Sequence, residues 1–181
     1  DFAPGMITAF VRVEGRPLGL IANDPKVLGG AIDAAGADKA SRFMQLCDAF
    51  SVPMVSFCDT PGFMVGPEEE ETAMVRHTCR MFVTAASLTV PLFSLVTRKG
   101  YGLGAQGMTG GSFHAPFFCA SWPSGEFGGM GLSLVLGLGG GIGGLLNGFG
   151  GVGHGHVSDW LGGRRNLVDP GSSPLCCTSE Q

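Results

Sequence analysis

The residues best suited to chemistry form one glycine-rich loop, Gly102-Leu103-Gly104-Ala105-Gln106-Gly107. Glycine lets the main chain approach a ligand without a Cβ in the way. Consecutive N–H groups at a strand-to-helix turn can then converge on one oxygen, forming an oxyanion hole that needs no side chain. The same six residues satisfy GxGxxG, follow a predicted strand, and precede Glu126 by about 20 residues, where a ribose-binding acid would stand. Three features weigh against that dinucleotide fingerprint. Arg98 and Lys99 separate the strand from the glycines, whereas the fingerprint wants an immediate tight turn. The following MTGGSFHAPFF is broken by Gly110, Gly111 and Pro116, so no long crossover helix is expected. Glu126 lies in WPSGEFGG, which reads as a turn rather than a strand end. A second match, at Gly139, Gly141 and Gly144, falls in a glycine-dominated stretch where chance matches are expected. The oxyanion-hole reading is the one retained.

Other chemistry-bearing residues form no comparable constellation. Ser94, Ser112 and Ser124 lack a GxSxG context. His77 falls on a predicted helix beside Arg76 and reads as a surface or packing residue, while His114, near the glycine loop, could approach a ligand. His154 and His156 have no third ligand nearby, so no metal site is expected. The glutamates at 68–71 read as a solvated helix start, and Asp33 and Asp38 as capping or surface acids. Arg98 and Lys99 are either a salt-bridged pair or a contact for an anion. The six cysteines include no CxxC pair. Cys47, Cys58, Cys79 and Cys119 sit among apolar neighbours and read as free thiols packed as small hydrophobes in a reducing compartment.

The elements that would position the glycine loop follow from hydrophobic period. Met6–Val13 and residues 17–22 read as a hairpin around Glu14-Gly15-Arg16. Residues 36–50 place Ala40, Phe43, Met44, Cys47 and Phe50 on one helical face. The apolar run 53–58 is of strand length and ends in the turn Asp59-Thr60-Pro61-Gly62. Residues 68–87 read as one helix, with Met74, Thr78, Met81, Phe82 and Ala85 inward and acids in the first turn, where the dipole favours them. Residues 91–97 and 117–121 read as further buried strands. Hairpin, helix, strand, helix, strand, glycine turn and strand in that order predict an α/β fold with a parallel sheet. Functional loops then lie at carboxyl ends of strands, which singles out residues 59–66 and 98–107.

With 181 residues the chain can form one domain with a real core. A net charge of −4 without a basic stripe argues against nucleic acid. Apolar runs are interrupted well short of ~18 residues, which argues against a membrane span. The chain begins at Asp1 without a basic n-region, and the reading is that it starts within a longer protein. Composition shifts near residue 132, giving a first unit over 1–132 and a glycine-rich unit over 133–181 that is expected to be weakly ordered.

Taken together, GRPLGLIAND, GGAIDAAGADKASRFMQLCDAFSVPMVSFCDTPGF, VPLFSLVTRKGYGLGAQGM and WPSGEFGGMG resemble the second half of the β-type carboxyltransferase of biotin-dependent acyl-CoA carboxylases. The resemblance spans roughly residues 5–132, and DTPGF followed by RKGYG is its most specific pair. It implies a crotonase-like ββα superhelix, here a partial domain with an irregular glycine-rich tail. It also implies biotin, as carboxybiotin on a carrier domain, and a CoA ester as substrate. Implied partners are a biotin carboxylase and biotin carrier subunit, the acyl-CoA-binding N-terminal domain absent here, and further copies in a homo-oligomer. The implied location is cytoplasmic, or the mitochondrial matrix in a eukaryote.

Carried over by position, the resemblance puts the biotin-side oxyanion hole at Gly102-Leu103-Gly104, with Leu103 and Gly104 supplying the two N–H groups. Leu103 stands where many relatives have glycine. Ala105 and Gln106 continue the binding loop, Gln106 at a position relatives use to tune acyl choice. Asp59, Gly62 and Phe63 would frame the neighbouring wall. Acetyl, propionyl and branched unsaturated acyl groups all remain open. Two other functions stay in view: a non-catalytic module docking a biotinylated carrier or partner subunit, and a crotonase-type hydratase or isomerase. The latter normally needs paired glutamates, which Glu126 alone does not supply.

From Ser133 the chain departs from the family, which continues with a charged helix. The abrupt compositional change motivates the hypothesis of a reading-frame change, read-through or assembly error near Leu132, against a genuine glycine-rich tail. A continuous coding frame, with no shifted frame restoring a charged helix, would overturn it.

Overall fold

A computed structural model describes residues 2–129 and the backbone of residues 175–176. The expected weak order of residues 133–181, the histidine pair at 154 and 156, and the proposed frame change therefore lie outside the described residues, those two backbone positions apart.

Positive φ at Glu14 (49°) and Gly15 (79°) turns the chain between β1 (Met6–Val13) and β2 (Arg16–Asn23). Two consecutive positive-φ residues match the right-handed twist of the antiparallel pair they join. The later strands are β3 (Met54–Thr60), β4 (Leu92–Tyr101), β5 (Phe118–Ser121), β6 (Glu126–Gly128) and β7 (Leu175–Cys176). Strands β2, β3, β4 and β5 run parallel in that spatial order, with β1 antiparallel beyond β2 and β7 antiparallel beyond β5. Strand β6 extends the pairing of β4 along its last residues. The result is a mixed sheet with a parallel centre.

Helix α1 (Ala34–Ala49) begins at Asp33, whose carboxylate accepts the Gly36 N–H at 2.6 Å. The cap satisfies one of the four orphan donors at the helix start. Asp38 ties α1 to α3 (Met74–Ala86): its oxygens lie 2.9 Å from His77 Nδ1 and 2.7 Å from Arg80 Nη1. His77 is thus a packing residue. The core forms where Ile21, Met54, Cys58, Leu92 and Val96 meet Ala40, Met44 and Cys47 of α1 and Met81 and Ala85 of α3. Burying the larger of these, Ile21, Met44, Met54, Met81, Leu92 and Val96, stabilises by ~1.5–3 kcal/mol each. The opposite sheet face carries half-buried Leu18, Leu20, Val55, Phe57, Phe93 and Leu95. Apolar residues on both faces characterise parallel strands.

Five expectations need correction. The helix expected over 68–87 is two: α2 (Pro67–Glu71) and α3, broken at Ala73, whose φ of 58° is left-handed. Phe50, expected inward, is 72% exposed because α1 ends at Ala49. Cys79 is exposed on α3 rather than packed. The glycine turn opens into a short helix, α4 (Gly102–Met108), which was hidden because glycine is a poor helix former. Glu126 begins β6, where pairing with Lys99 overrides the turn-like local sequence.

Candidate functional site

Parallel strands deliver their loops to one end, and here three arrive together. The loop after β2 and the loop after β3 are joined by main-chain bonds: Ile32 N–H donates to the Gly62 carbonyl (3.0 Å) and Met64 N–H donates to the Ile32 carbonyl (2.8 Å). Gly30 lies so close to the Asp59 carbonyl that no Cβ would fit, and its φ of 91° also requires glycine. The β4 turn joins them through Gly104, where a Cβ would meet Gly62 Cα and C at 2.6 Å.

Strand β4 reaches that position through a bulge. Cys58 pairs with Val96 and Thr60 with Gly100, so β3 advances two residues while β4 advances four. Bulges bend a strand and leave main-chain groups without ladder partners. Side chains bridge this one. Asp59 accepts from Lys99 N–H (3.3 Å), Arg98 Nη2 (3.0 Å) and Arg98 Nε (3.4 Å). Thr97 Oγ1 donates to the Cys58 carbonyl (3.2 Å), and Cys58 Sγ donates to the Lys99 carbonyl (3.7 Å). Burial pushes the Cys58 thiol up to about 12, so it bridges as a protonated donor. Asp59 N–H donates to Asn23 Oδ1 (3.1 Å). Lys99 Nζ donates to the Gly29 carbonyl, which links the third loop.

Beyond the bulge, Tyr101 is buried and its hydroxyl donates to Glu126 on β6. Burial first, then Glu126, pushes the Tyr101 phenol up to about 12. Gly102 follows with φ of 55°, and a Cβ there would meet the Gly129 carbonyl at 2.9 Å. The N–H groups of Gly102, Leu103 and Gly104 occupy the first turn of α4, where a helix offers them no internal acceptor. Leu103 points its side chain outward, 61% exposed, so a residue larger than glycine is accommodated there. Leu28 and Val65, at 52% and 85% exposure, add apolar surface on the other two loops.

The candidate residues thus divide. Gly62, Gly102, Leu103 and Gly104 come together at the loop junction, Gly104 buried by Gly62. Ala105 is fully buried in the core, and Gln106 is half-buried on the same short helix. Phe63 turns its ring toward Phe82 (centroids 6.2 Å apart) and Gly107, as a packing residue. Arg98 and Lys99 are salt-bridged to Asp59. His114 is exposed, past the far end of α4. Sequence reasoning missed the bulge and the roles of Asn23 and Gly30. The signal was available in part: charged Asp59, Arg98 and Lys99 at the ends of two adjacent apolar strands invite pairing.

Among the described residues no three His, Cys, Asp or Glu side chains group as metal ligands, and no helix is long and apolar enough to cross a membrane. What the junction offers is a first helical turn whose main-chain N–H groups have no helical acceptor, packed against Gly62; such donors suit an oxygen that gains negative charge.

Comparison with known proteins gives that junction a context. The sequence pattern of the carboxyl transferase domain family matches residues 1–135. The uncharacterized carboxylase YngE of Bacillus subtilis (strain 168) is 41% identical over 130 residues, covering 72% of this chain and 25% of that protein. Among solved structures, a single-chain, multi-domain long-chain acyl-CoA carboxylase superposes with a TM-score of 0.74 at 60% identity, over 76% of this chain and 14% of that one. Transcarboxylase 12S, solved as a hexamer with methylmalonyl-CoA and methylmalonic acid bound, gives a TM-score of 0.66 at 37% identity, over 71% of this chain and 25% of its own. The α/β fold with a mixed sheet is that of these carboxyltransferase structures. The chain spans about a quarter of the length of the curated relatives it matches, 25% in the first two.

Proposed function

Because the chain belongs to the carboxyl transferase domain family, we propose that it supplies the biotin-side oxyanion hole of a biotin-dependent acyl-CoA carboxyltransferase. The reaction is carboxyl transfer from carboxybiotin to the α-carbon of an acyl-CoA. Residues 1–132 act as the carboxyltransferase unit, part of a crotonase-like ββα superhelix, followed by the glycine-rich residues 133–181. The observation that carries this reading is the start of α4. Three N–H groups without helical acceptors stand at the end of parallel strands, backed by Gly62.

The residues present suit a neutral ring bearing one carbonyl. The donors are main-chain N–H groups, and exposed Leu28 and Val65 offer apolar surface to the ring. Biotin, when bound, supplies the ureido group that releases the carboxyl and takes up the α-proton. Leu103 and Gly104 N–H bind the ureido oxygen and stabilise the charge that grows on it, a contribution of about 3–4 kcal/mol per effective donor. Gly62 backs Gly104 by close packing. Leu28 and Val65 exclude water, which strengthens those bonds. Gly102, Ala105 and Gln106 complete the loop, and Gln106 bears on acyl choice. Phe63 supports the loop from within.

The complete enzyme requires an acyl-CoA-binding domain, a biotin carboxylase and a biotin carrier, and works as a homo-oligomer in the cytoplasm or mitochondrial matrix. The 60% identity to a long-chain acyl-CoA carboxylase adds long-chain acyl groups to the short ones already open. The test is transcarboxylation with the complementary acyl-CoA-binding domain added, using free biotin with malonyl-CoA, methylmalonyl-CoA or a carboxylated long-chain acyl-CoA. Leu103→Pro removes one donor at an exposed first-turn position, where proline is tolerated. Activity that needs both pieces and falls in folded Leu103→Pro supports the hole. No activity from a well-folded mixture would falsify it and favour a non-catalytic docking module, and an undiminished variant would take the Leu103 N–H out of the hole.

A further inference from the structure

Nothing in the proposed chemistry uses the Asp59 carboxylate, yet it stands at the meeting point of all three loops. Its side chain is 13% exposed, and five groups converge on the residue. Arg98 and the Lys99 main chain bind its oxygens, Lys99 Nζ lies 4.0 Å away, Asn23 holds its N–H, and Gly30 packs on its carbonyl. Three of these contacts come from Arg98 and Lys99 in the β4 bulge, three to six residues before Gly102–Gly104.

We propose that Asp59 is the positioning residue of the glycine turn: it sets the bulge of β4, and through it the direction of the Leu103 and Gly104 N–H groups. The inference rests on the oxyanion-hole reading for its consequence in catalysis, and on geometry alone for its structural part. The bulge interrupts the ladder on the β3 side, while β6 pairs with Lys99–Tyr101 on the other, so Asp59 holds the edge that β3 leaves open. The Lys99 N–H would lack its Asp59 acceptor without this carboxylate. The Arg98 pair adds a second bond at the neighbouring residue, and Arg98 is itself 55% exposed, so its value lies in orientation more than in stability. Lys99 is gripped twice, its main chain by Asp59 and its ammonium by the Gly29 carbonyl, two residues before Tyr101. An error of one ångström in donor placement costs on the order of 100-fold in rate.

The experiment combines two readouts on the full 181-residue chain. Amide hydrogen exchange followed by NMR reports the turn directly. Transcarboxylation with the acyl-CoA-binding domain present reports its consequence. Asp59→Ala is expected to speed exchange about tenfold at Lys99, whose acceptor is lost, and at Ala105, whose amide closes the first turn of α4. Amides of α1 and α3 should keep their wild-type rates, and kcat should fall while KM for the acyl-CoA holds. Asp59→Asn keeps the shape and one acceptor oxygen but loses the charge that holds Arg98. It should show a smaller rise, about threefold, at the same amides. Wild-type exchange at Lys99 and Ala105 in folded Asp59→Ala overturns the proposal. So does a rise spread evenly over α1, α3 and β4, which would make Asp59 a general stabiliser. If Asp59→Ala does not fold, wild-type exchange and kcat in Asp59→Asn overturn it equally. A wild-type chain that shows no transfer at all defeats the oxyanion-hole reading, while the exchange data still decide the role of Asp59.

Discussion

Gly104 rests directly on the main chain of Gly62: a Cβ at 104 would come within 2.6 Å of both the Cα and the carbonyl carbon of Gly62. No side chain separates the loop after β3 from the start of α4. The obstacle is main chain on both sides, so neither partner can move aside cheaply.

Gly104→Ala should therefore separate the two loops. Chemical denaturation is expected to show a loss of about 1–3 kcal/mol, typical of overpacking. Gly129→Ala is the control, because a Cβ at Gly129 meets nothing within 4 Å and φ there is not positive. It should change stability by less than about 0.5 kcal/mol. Equal losses at the two sites would mean that the Gly62 contact does not set the cost at 104.

Leu103 makes the complementary case, since its side chain faces solvent and its role is assigned to its N–H. Leu103→Ala should leave stability within about 0.5 kcal/mol of wild type and transcarboxylation nearly unchanged. Leu103→Pro should lower kcat by about 100- to 1,000-fold at similar stability. If Leu103→Ala costs as much as Leu103→Pro, the side chain itself contacts the ligand and the main-chain assignment fails.

Tyr101 offers a direct optical readout, because it is the chain's single tyrosine. Its phenol is pushed from an ordinary 10.0 up to about 12 by burial and by Glu126. The folded state thus holds the phenolic proton more tightly than the unfolded state. The contribution is fully present below pH 10 and is lost as pH rises from 10 toward 12. Absorbance titration should show phenolate appearing well above pH 10 in the folded chain and near 10 in denaturant. Tyr101→Phe should lose part of this alkaline sensitivity. Titration of the folded chain at the ordinary value would show that Tyr101 is solvated and not bonded to Glu126.

The hairpin, α1 and the strand centres were legible because their signals are local. Glu14-Gly15 sits at a turn between two alternating runs, and Ala40, Met44 and Cys47 recur at helical spacing. The glycine loop was legible as a place where main chain must approach closely, and both Gly102 and Gly104 meet backbone where a Cβ would be. Three features were not legible, each because a distant partner decides it. Ala73 takes a left-handed conformation that alanine disfavours, between two segments with separate packing. Glu126 joins a strand because Lys99 is available to pair. The bulge exists only in the register between β3 and β4, which no single segment encodes. Asp59 looked like a turn residue in Asp-Thr-Pro-Gly, and its hydrogen-bond partners lie 36 to 40 positions away.

Cysteine reactivity separates the surface from the bulge. Cys79 is exposed on α3, whereas Cys47 and Cys58 are fully buried. Burial pushes Cys47 up to about 11 and Cys58 up to about 12, so at pH 8 almost no thiolate forms at either. Iodoacetamide labelling with peptide mapping should modify Cys79 at least about 100-fold faster than Cys47 or Cys58. In denaturant all three should react alike. Cys58 carries the added information, because its Sγ spans the bulge to the Lys99 carbonyl. Labelling at Cys58 requires both access and loss of that bond, so its rate measures opening of the segment that aims the glycine turn. Cys58 in the native chain should therefore react only as fast as the protein unfolds. If it reacts as fast as Cys79, the bulge opens within the folded state, and the N–H groups of Leu103 and Gly104 would not be rigidly aimed.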